Sequence, residues 1–324
     1  MRSVVERMKG QRVAVLGDPV LDIYLYGSTH RISREAPVLI VKEDDRATFL
    51  GGAANTAHNF AAFGAETSLI GLVGTDEAGT ELAALATAAK IDPGRLVRRT
   101  TGHTITKTRV LAGGLHTRKQ QMLRIDREND RPIDAEETER LVRTVNEAIA
   151  DLDALVISDY GDESLTDLYV ELAARARAAD KLVVVDSRYA LGKFAGVSAV
   201  TPNEPEVEQT FAVRLESDDD ARAAAERLVR ELSLDYALLT RGSEGMAVAA
   251  RDRDTVLLPA HGAQEAVDVT GAGDTVTAAF TLALLAGADV VDAARIANAA
   301  ASQVVRVMGA ATCDPEVLLA ELGT

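Results

Sequence analysis

The segment Asp268-Val-Thr-Gly-Ala-Gly-Asp274 carries the residue types best suited to chemistry. Gly271, Ala272 and Gly273 have little or no side chain, and an apolar stretch with helical spacing follows them. Their backbone N–H groups can converge on an anion at a helix N-terminus, where the helix dipole favours negative charge. Holding the Asp274 carboxylate beside that anion costs electrostatic energy, which indicates a task such as accepting the proton of an attacking hydroxyl. An ordinary helix start with a dipole-favoured Asp is the alternative.

Two common phosphate-binding motifs are missing from the sequence. A dinucleotide fingerprint needs a third small residue after G-x-G-x-x, and Val276 holds that position. A P-loop needs Gly-Lys followed by Ser or Thr, whereas Gly192-Lys193 precedes Phe194. A nucleotide would therefore be held by another arrangement.

A second glycine cluster, Gly51-Gly52 followed by Ala-Ala-Asn55, has the properties of a sugar site. Paired glycines let the backbone approach a ligand, and the Asn55 amide offers both a donor and an acceptor to hydroxyl groups. Asp18 and Asp22 follow the first predicted strand and add carboxylate acceptors. Each residue alone could equally be a cap or turn residue. Their joint position at strand ends favours ligand binding.

Apolar runs of strand length alternate with stretches of helical spacing, which is typical of a parallel sheet covered by helices on both faces. Strands are predicted at 12–16, 67–73, 154–158, 182–186, 199–201 and 236–240. Helices are predicted at 53–63, 77–90, 135–151, 165–179, 218–232, 272–286 and 290–308. Ligands of open α/β sheets bind beyond the carboxyl ends of the strands, where the polar residues cluster here.

Two stretches interrupt this alternation, at about 22–50 and about 102–127, and both show strand-like spacing. Because such strands cannot join the parallel core, we expect a single domain over residues 1–324 with a small second sheet inserted as a lid that excludes water. A pair of surface hairpins is the alternative.

Composition narrows the class of protein further. The chain has 324 residues with a net charge of −15, from 35 Lys plus Arg against 50 Asp plus Glu. This acidic balance disfavours nucleic acid and anionic membranes as partners. The single Cys313 cannot form an internal disulfide, and the N-terminus lacks the apolar stretch of a signal peptide. We therefore expect a cytoplasmic protein.

Four segments together resemble the ribokinase-like (PfkB) carbohydrate kinases. The segments 51–55 and 268–274 are similar to the two signatures of that family, and 201–206 and 240–246 are similar to its nucleotide-side segments. The likeness runs from Val13 to about Met308. It implies a three-layer α/β/α fold with a mainly parallel central sheet and a β-sheet lid, and phosphoryl transfer from ATP with Mg²⁺ to a sugar hydroxyl.

The resemblance also assigns roles to individual residues. It implies that Asp274 is the base and that the amides of Gly271, Ala272 and Gly273 hold the transferring group. It places the sugar against Asp18, Asp22, Gly51, Gly52 and Asn55. It places ATP against Asn203, Thr240, Gly242, Gly245, Thr270 and Asn298. It assigns Mg²⁺ to Asn203 and Glu206, through water, and leaves open whether a monovalent cation assists.

Within this family, the segments 17–27, 31–38, 104–111 and 120–126 resemble the heptose 7-phosphate kinases. The acceptor implied is a heptose 7-phosphate, with its anomeric hydroxyl phosphorylated to give the 1,7-bisphosphate. Its phosphate would meet cations of the lid side, where a solvated charged face is the alternative. These cations are Arg31, Arg34, Lys107, Arg109, Arg118, Lys119 and Arg124.

The chain departs from these relatives at three places. Asp162 stands where they carry Lys, Ser187-Arg188 stands where they often read Pro-Lys, and 112–117 contains an insertion. A kinase of another sugar or sugar phosphate, ribose-like or fructose-like, and a non-catalytic sugar- or nucleotide-binding module therefore stay as alternatives. No His lies in an H-x-G-H pattern, so we expect no nucleotidyltransferase domain in this chain. We expect a homodimer through the lid, because pairing would cover its edge strands.

Overall fold

The computed structural model describes residues 1–99, 101–113, 119–129, 131–262 and 266–322. The strands in this part of the chain are β1 (Arg12–Gly17), β2 (Pro19–Ile32), β3 (Leu39–Gly52), β4 (Glu66–Val73), β5 (Ile91–Asp92), β6 (Leu96–Arg98), β7 (Ile105–Gly113), β8 (Gln120–Arg127), β9 (Ala154–Asp159), β10 (Leu182–Ser187), β11 (Ala199–Val200), β12 (Tyr236–Thr240), β13 (Met246–Ala250) and β14 (Arg253–Leu258). The helices are α1 (Arg2–Met8), α2 (Ala53–Ala62), α3 (Glu77–Ala88), α4 (Ala135–Ile149), α5 (Glu163–Ala178), α6 (Glu204–Phe211), α7 (Asp218–Glu231), α8 (Ala272–Leu285), α9 (Val290–Val304) and α10 (Pro315–Leu322).

The larger sheet has the order β14-β13-β12-β11-β10-β9-β1-β4-β5, with β6 beside β4. All pairs from β12 to β5 are parallel, and β13 and β14 add antiparallel strands at one edge. Successive side chains of β1 enter opposite layers: Val13 and Val15 pack with α2, α8 and α9, whereas Ala14 and Leu16 pack with α4, α5 and α7. The predicted α/β class with helices on both faces is confirmed.

The smaller sheet has the order β3-β2-β7-β8. Its central pair, β2 and β7, is parallel, and its outer pairs are antiparallel. The predicted stretches 22–50 and 102–127 supply its strands, apart from 114–118, which lie outside the described residues. No helix in the described ranges is long and apolar enough to cross a bilayer.

Two short connections join the smaller sheet to the α/β core. β1 passes into β2 through Asp18, and β3 passes directly into α2 at Gly52. Gly52 has φ +54°, and a Cβ at this position would lie 2.4 Å from the Asp18 carbonyl oxygen. Only glycine combines this conformation with such a close approach. The second glycine cluster therefore has a geometric role besides any role in ligand binding.

Several boundaries differ from the sequence prediction. The helix predicted at 290–308 ends at Val304, because the Val305 carbonyl accepts hydrogen bonds from the amides of Val267 and Asp268. α1, α6 and α10 are not predicted from the sequence. Each is seven or eight residues long, so its apolar periodicity covers about two turns and gives a weak signal.

Candidate functional site

A cavity of about 360 Å³ opens at the carboxyl ends of the parallel strands, between the large sheet and the smaller one. Strand ends that are far apart in the sequence meet here, because parallel strands finish at the same edge of a sheet. The predicted site residues that line it are Asp22, Gly51, Gly52, Asn55, Lys107, Arg109, Asn203, Glu206, Thr240, Thr270, Gly271, Gly273 and Asp274. The cavity brings both glycine clusters to one place.

Asp274 lies on the first turn of α8 and is 5% exposed. One carboxylate oxygen accepts a 2.5 Å hydrogen bond from Asn55 Nδ2, and the other accepts a hydrogen bond from the Thr56 hydroxyl. The Tyr160 hydroxyl lies 3.5 Å from the same oxygen as Thr56. Burial raises the pKa of Asp274 to about 6, while these hydrogen bonds oppose the rise. The carboxylate is ionised at neutral pH and is basic enough to take a proton.

The start of α8 faces the same cavity. Gly271 is the N-cap with φ +80°, and no side chain caps the helix. The first amides of a helix lack intrahelical acceptors and carry the positive end of its dipole. Ala272 N–H donates to the Val269 carbonyl at 3.2 Å, whereas Gly271 and Gly273 line the cavity. The described arrangement therefore offers the amides of the two glycines to an anion.

The loop before α8 is fixed by Asp268. Its carboxylate accepts hydrogen bonds from the amides of Thr270 and Gly309, each at 2.9 Å. Hydrogen bonds to its ionised form lower the pKa of Asp268. The carboxylate thus ties the loop at residues 268–271 to the segment that follows α9.

The two glycines of the α8 start differ in their surroundings. A Cβ at Gly271 would lie 2.9 Å from Asn55 Nδ2, the donor that holds Asp274. A Cβ at Gly273 would meet nothing within 4 Å, because it would point into the cavity. Gly271 is therefore required by packing, whereas the space at Gly273 is left for a ligand.

The two polar atoms of the Asn55 amide have different surroundings. Its Nδ2 donates to Asp274, and its buried Oδ1 has no hydrogen-bond partner within the described residues. A buried acceptor without a partner is costly. A hydroxyl of a bound molecule would satisfy it at a position next to the carboxylate.

Asp22 and Arg109 form an ion pair on the smaller sheet, with Arg109 Nη1 2.6 Å from Asp22 Oδ1. The guanidinium also lies 5.2 Å from the centre of the Tyr24 ring. Lys107 and Arg124 line the cavity from the same sheet. Arg31, at the end of β2, and Arg34, just after it, are exposed and do not line the cavity. Arg118 lies outside the described residues. Lys119 is paired with a carboxylate instead, since its Nζ lies 3.9 Å from Asp44 Oδ2.

Asp18 faces a neighbouring cavity of about 250 Å³ that is also lined by Lys107, Tyr160 and Asp162. Its carboxylate accepts hydrogen bonds from Tyr160 N and the Tyr169 hydroxyl, both at 2.9 Å. Burial raises the pKa of Asp18 to about 7. Asp162 caps α5 by accepting from Ser164 N at 3.0 Å. The departure from Lys at position 162 thus puts a carboxylate on the wall of this second cavity.

The nucleotide-side residues divide into two groups. Asn203 and Glu206 form a capping box that starts α6, with both Glu206 oxygens accepting from Asn203. Burial raises the pKa of Glu206. Gly242, Gly245 and Asn298 do not line the cavity. Asn298 instead hydrogen-bonds the backbone of Pro259 and His261. Their contact with ATP stays a prediction.

The described residues contain no cluster of three or more His, Cys, Asp or Glu that could cage a metal. Mg²⁺ bound to a nucleotide needs only one or two carboxylates and keeps most of its waters. Asp186 and Glu206 line the cavity and fit this looser arrangement.

Sequence reasoning did not assign roles to four polar residues that line the cavity from β9 and β10. These residues are Asp159, Tyr160, Asp186 and Arg188. Each lies at or just after a buried strand, which is the signal that could have identified them. Burial raises the pKa of Asp186, with the charge of Glu206 adding to the effect.

The fold and this cavity are those of a carbohydrate kinase, a phosphotransferase that acts on a sugar hydroxyl. Residues 11–317 match the family model described as pfkB family carbohydrate kinase, and the chain belongs to this family.

Two curated relatives are similar to this chain over almost all of its length. The bifunctional protein HldE of Halorhodospira halophila is 42% identical over 314 residues, which is 96% of this chain and 63% of that protein. The HldE protein of Azorhizobium caulinodans is 40% identical over 313 residues, or 96% of this chain and 64% of its own length. The chain thus spans less than two thirds of these relatives.

Among solved structures, the fold is similar to Arabidopsis thaliana ribokinase complexed with ribose and ATP, with a TM-score of 0.75, 21% identity and coverage of 97% and 99% of the two chains. It is also similar to Escherichia coli phosphofructokinase-2, with a TM-score of 0.75, 19% identity and coverage of 97% and 100%. These likenesses show the ribokinase-like fold.

We expect turnover to fall on the acid side with the ionisation of Asp274. Since a general base works only when it is ionised, kcat/KM should drop roughly tenfold per pH unit well below pH 6. Thr56→Val removes a hydrogen bond that lowers the pKa of Asp274, so the acid limb should move to higher pH. Rates measured from pH 4.5 to 8.5 for both proteins test this. An acid limb at the same pH in both would contradict the assignment.

Gly273→Ala should lower activity without lowering stability. Alanine stabilises a helix by about 0.5–1 kcal/mol relative to glycine, so the melting temperature should hold or rise. The new methyl enters the cavity, and turnover should fall about tenfold or more.

The control is Gly287→Ala, because Gly287 also has open space around it but lies after the other end of α8. Unlike Gly273, it has a positive φ, of +80°. It should lower stability by about 1 kcal/mol and leave turnover unchanged. Equal activity losses in the two variants would show that the space at Gly273 is not used.

Proposed function

We propose that the chain catalyses ATP-dependent phosphorylation of the anomeric hydroxyl of a heptose 7-phosphate. The observation that carries the proposal is the buried Asp274 carboxylate, which lies between the bare start of α8 and the unpartnered Oδ1 of Asn55. One side of this carboxylate suits an anion, and the other suits a hydroxyl. This is the arrangement that phosphoryl transfer to an alcohol requires.

The reaction follows from these positions. The acceptor hydroxyl donates to Asp274, which takes its proton as the oxygen attacks the γ-phosphorus of ATP. The new O–P bond forms as the bond from the γ-phosphorus to the β–γ bridging oxygen breaks, and ADP leaves. The amides of Gly271 and Gly273 hold the charge on the transferring group, and the dipole of α8 adds to their effect. Ala272 belongs to the same turn, and its N–H is already bonded to the Val269 carbonyl.

ATP and the acceptor would occupy opposite parts of the cavity. Asn203, Thr240 and Thr270 border the ATP side, and we keep Gly242, Gly245 and Asn298 as predicted contacts of the nucleotide. Mg²⁺ would reach Asn203 and Glu206 through water and would neutralise the phosphates of ATP. A monovalent cation is an open part of this proposal.

The choice of a heptose phosphate as the acceptor is based on the cations of the smaller sheet. Lys107, Arg109 and Arg124 line the cavity from the same sheet as Asp22, Gly51 and Gly52. In a chain with a net charge of −15, three lining cations against the Asp22 carboxylate leave this wall positive, which favours an anionic acceptor. The segments that resemble heptose 7-phosphate kinases lie on this same sheet, and several curated relatives are named HldE.

A coupled assay of ADP release against a panel of sugars tests the proposal. We expect turnover with heptose 7-phosphate, and Asp274→Asn should lower kcat about a hundredfold or more while ADP affinity changes less than about threefold. Lys107→Met should raise KM for the phosphorylated acceptor. Turnover of ribose or fructose but not of the heptose phosphate would move the assignment to another sugar kinase. Sugar binding without any phosphoryl transfer would favour a binding module.

We also propose a homodimer through the smaller sheet, which would act as a lid on the cavity, in a cytoplasmic enzyme. The edge strand β8 is exposed along its whole length and carries Met122, Leu123 and Ile125. Exposed apolar edge strands invite pairing with another chain. A second copy of β8 would cover them.

Light scattering at micromolar concentration should therefore give the mass of a dimer. Leu123→Lys should shift the protein toward monomer, because a charge cannot be buried there without a partner. The control is Val317→Lys, since Val317 is an exposed apolar residue on α10. A monomeric parent protein would contradict the proposal.

A further inference from the structure

Arg188 follows β10 at the carboxyl end of the large sheet and lines the cavity that contains Asp274. Its backbone N–H donates to the Asp159 carbonyl at 3.0 Å, which fixes its position beside the end of β9. The side chain is exposed, and its guanidinium lies 5.9 Å from the centre of the Tyr189 ring. The main chain is therefore anchored while the charged end faces the open cavity.

The other cations that line the cavity belong to the smaller sheet. Arg109 is paired with Asp22, Arg124 is paired with Asp126, and Lys107 lies on β7 beside them. Arg188 is the one lining cation that the large sheet contributes within the described ranges, and it forms none of the ion pairs found there. Its charge is available to a bound anion.

The large-sheet wall is otherwise acidic. Asp159, Asp186, Glu206 and Asp274 all line it, and Arg188 opposes the burial effect that raises the pKa of Asp186 and of Glu206. A helix start supplies about half an elementary charge. That is too little to offset four carboxylates when a polyphosphate enters, so a full positive charge on this wall favours its binding. A guanidinium matches the geometry of phosphate oxygens.

We propose that Arg188 binds the terminal phosphates of the nucleotide on the same wall of the cavity as the start of α8. This inference rests on the proposed kinase function and adds a catalytic residue to it. Arg188 would contact the γ-phosphoryl group while the acceptor oxygen bonds to phosphorus, the bond to the β–γ bridging oxygen breaks, and the acceptor proton passes to Asp274. It would then release the group with the sugar product and stay on ADP.

Nucleotide binding tests this role without knowledge of the acceptor. Calorimetry with a non-hydrolysable ATP analogue, ADP and AMP should show that Arg188→Met weakens the first two at least about tenfold and AMP less than about threefold, because AMP lacks the terminal phosphates. Arg188→Lys should recover most of the affinity for ADP. The matched control is Arg253→Met, since Arg253 pairs with Asp289 outside the cavity. That control should bind all three nucleotides as the parent protein does.

Each other outcome has a defined meaning. Equal weakening of AMP and ADP would show that Arg188 supports the fold of the site, and would overturn the inference. Unchanged nucleotide affinity with a raised KM for the acceptor would assign Arg188 to the sugar side and overturn it as well. If the parent protein binds ADP but phosphorylates no sugar, the proposed function fails while the Arg188 comparison still decides this inference. A parent protein that binds no adenine nucleotide would overturn both.

Discussion

The burial of one carboxylate at the start of one helix is the constraint on which the site depends. Asp274 is removed from water on the first turn of α8, where the helix dipole and hydrogen bonds from Asn55, Thr56 and Tyr160 offset the cost. Asn55 and Thr56 belong to α2, more than two hundred residues earlier. Helices α2 and α8 must therefore pack closely, and both contribute small, fully buried residues to the same core layer, among them Ala53, Ala57 and Ala279.

The same constraint explains why glycines occur at both helix starts. Gly271 leaves room for the Asn55 amide, and Gly52 lets β3 turn into α2 against the carbonyl of Asp18. A Cβ at Gly271 would press on the Asn55 amide, and a Cβ at Gly52 would clash with the carbonyl oxygen of Asp18. The glycine motifs thus act first on packing, and the packing then exposes backbone amides and acceptors to a ligand.

Charge is distributed unevenly in this acidic protein. Carboxylates follow the strands of the large sheet, whereas Lys107, Arg109 and Arg124 project from the smaller sheet. An anionic acceptor would therefore be attracted to one wall, and in the proposed reaction the nucleotide would be held against the other by the start of α8, by Arg188 and by its own metal ion. Because the two walls come from different sheets, a change in the position of the smaller sheet would alter acceptor binding more than nucleotide binding.

The sequence by itself determined the α/β class and the main strands and helices. It also identified the two glycine clusters and Asp274 as candidate site residues. These points depend on local spacing and on the chemistry of neighbouring residues. It did not determine the partners of Asp274, the capping role of Asn203 and Glu206, or the place of Arg188. Nor did it place Asn298 on the backbone of residues 259–261, or show that Asp18 faces a separate cavity. Tertiary structure decided these points, because parallel pairing brings together strand ends that lie far apart along the chain, and the direction of a side chain at a strand end depends on which strands become neighbours.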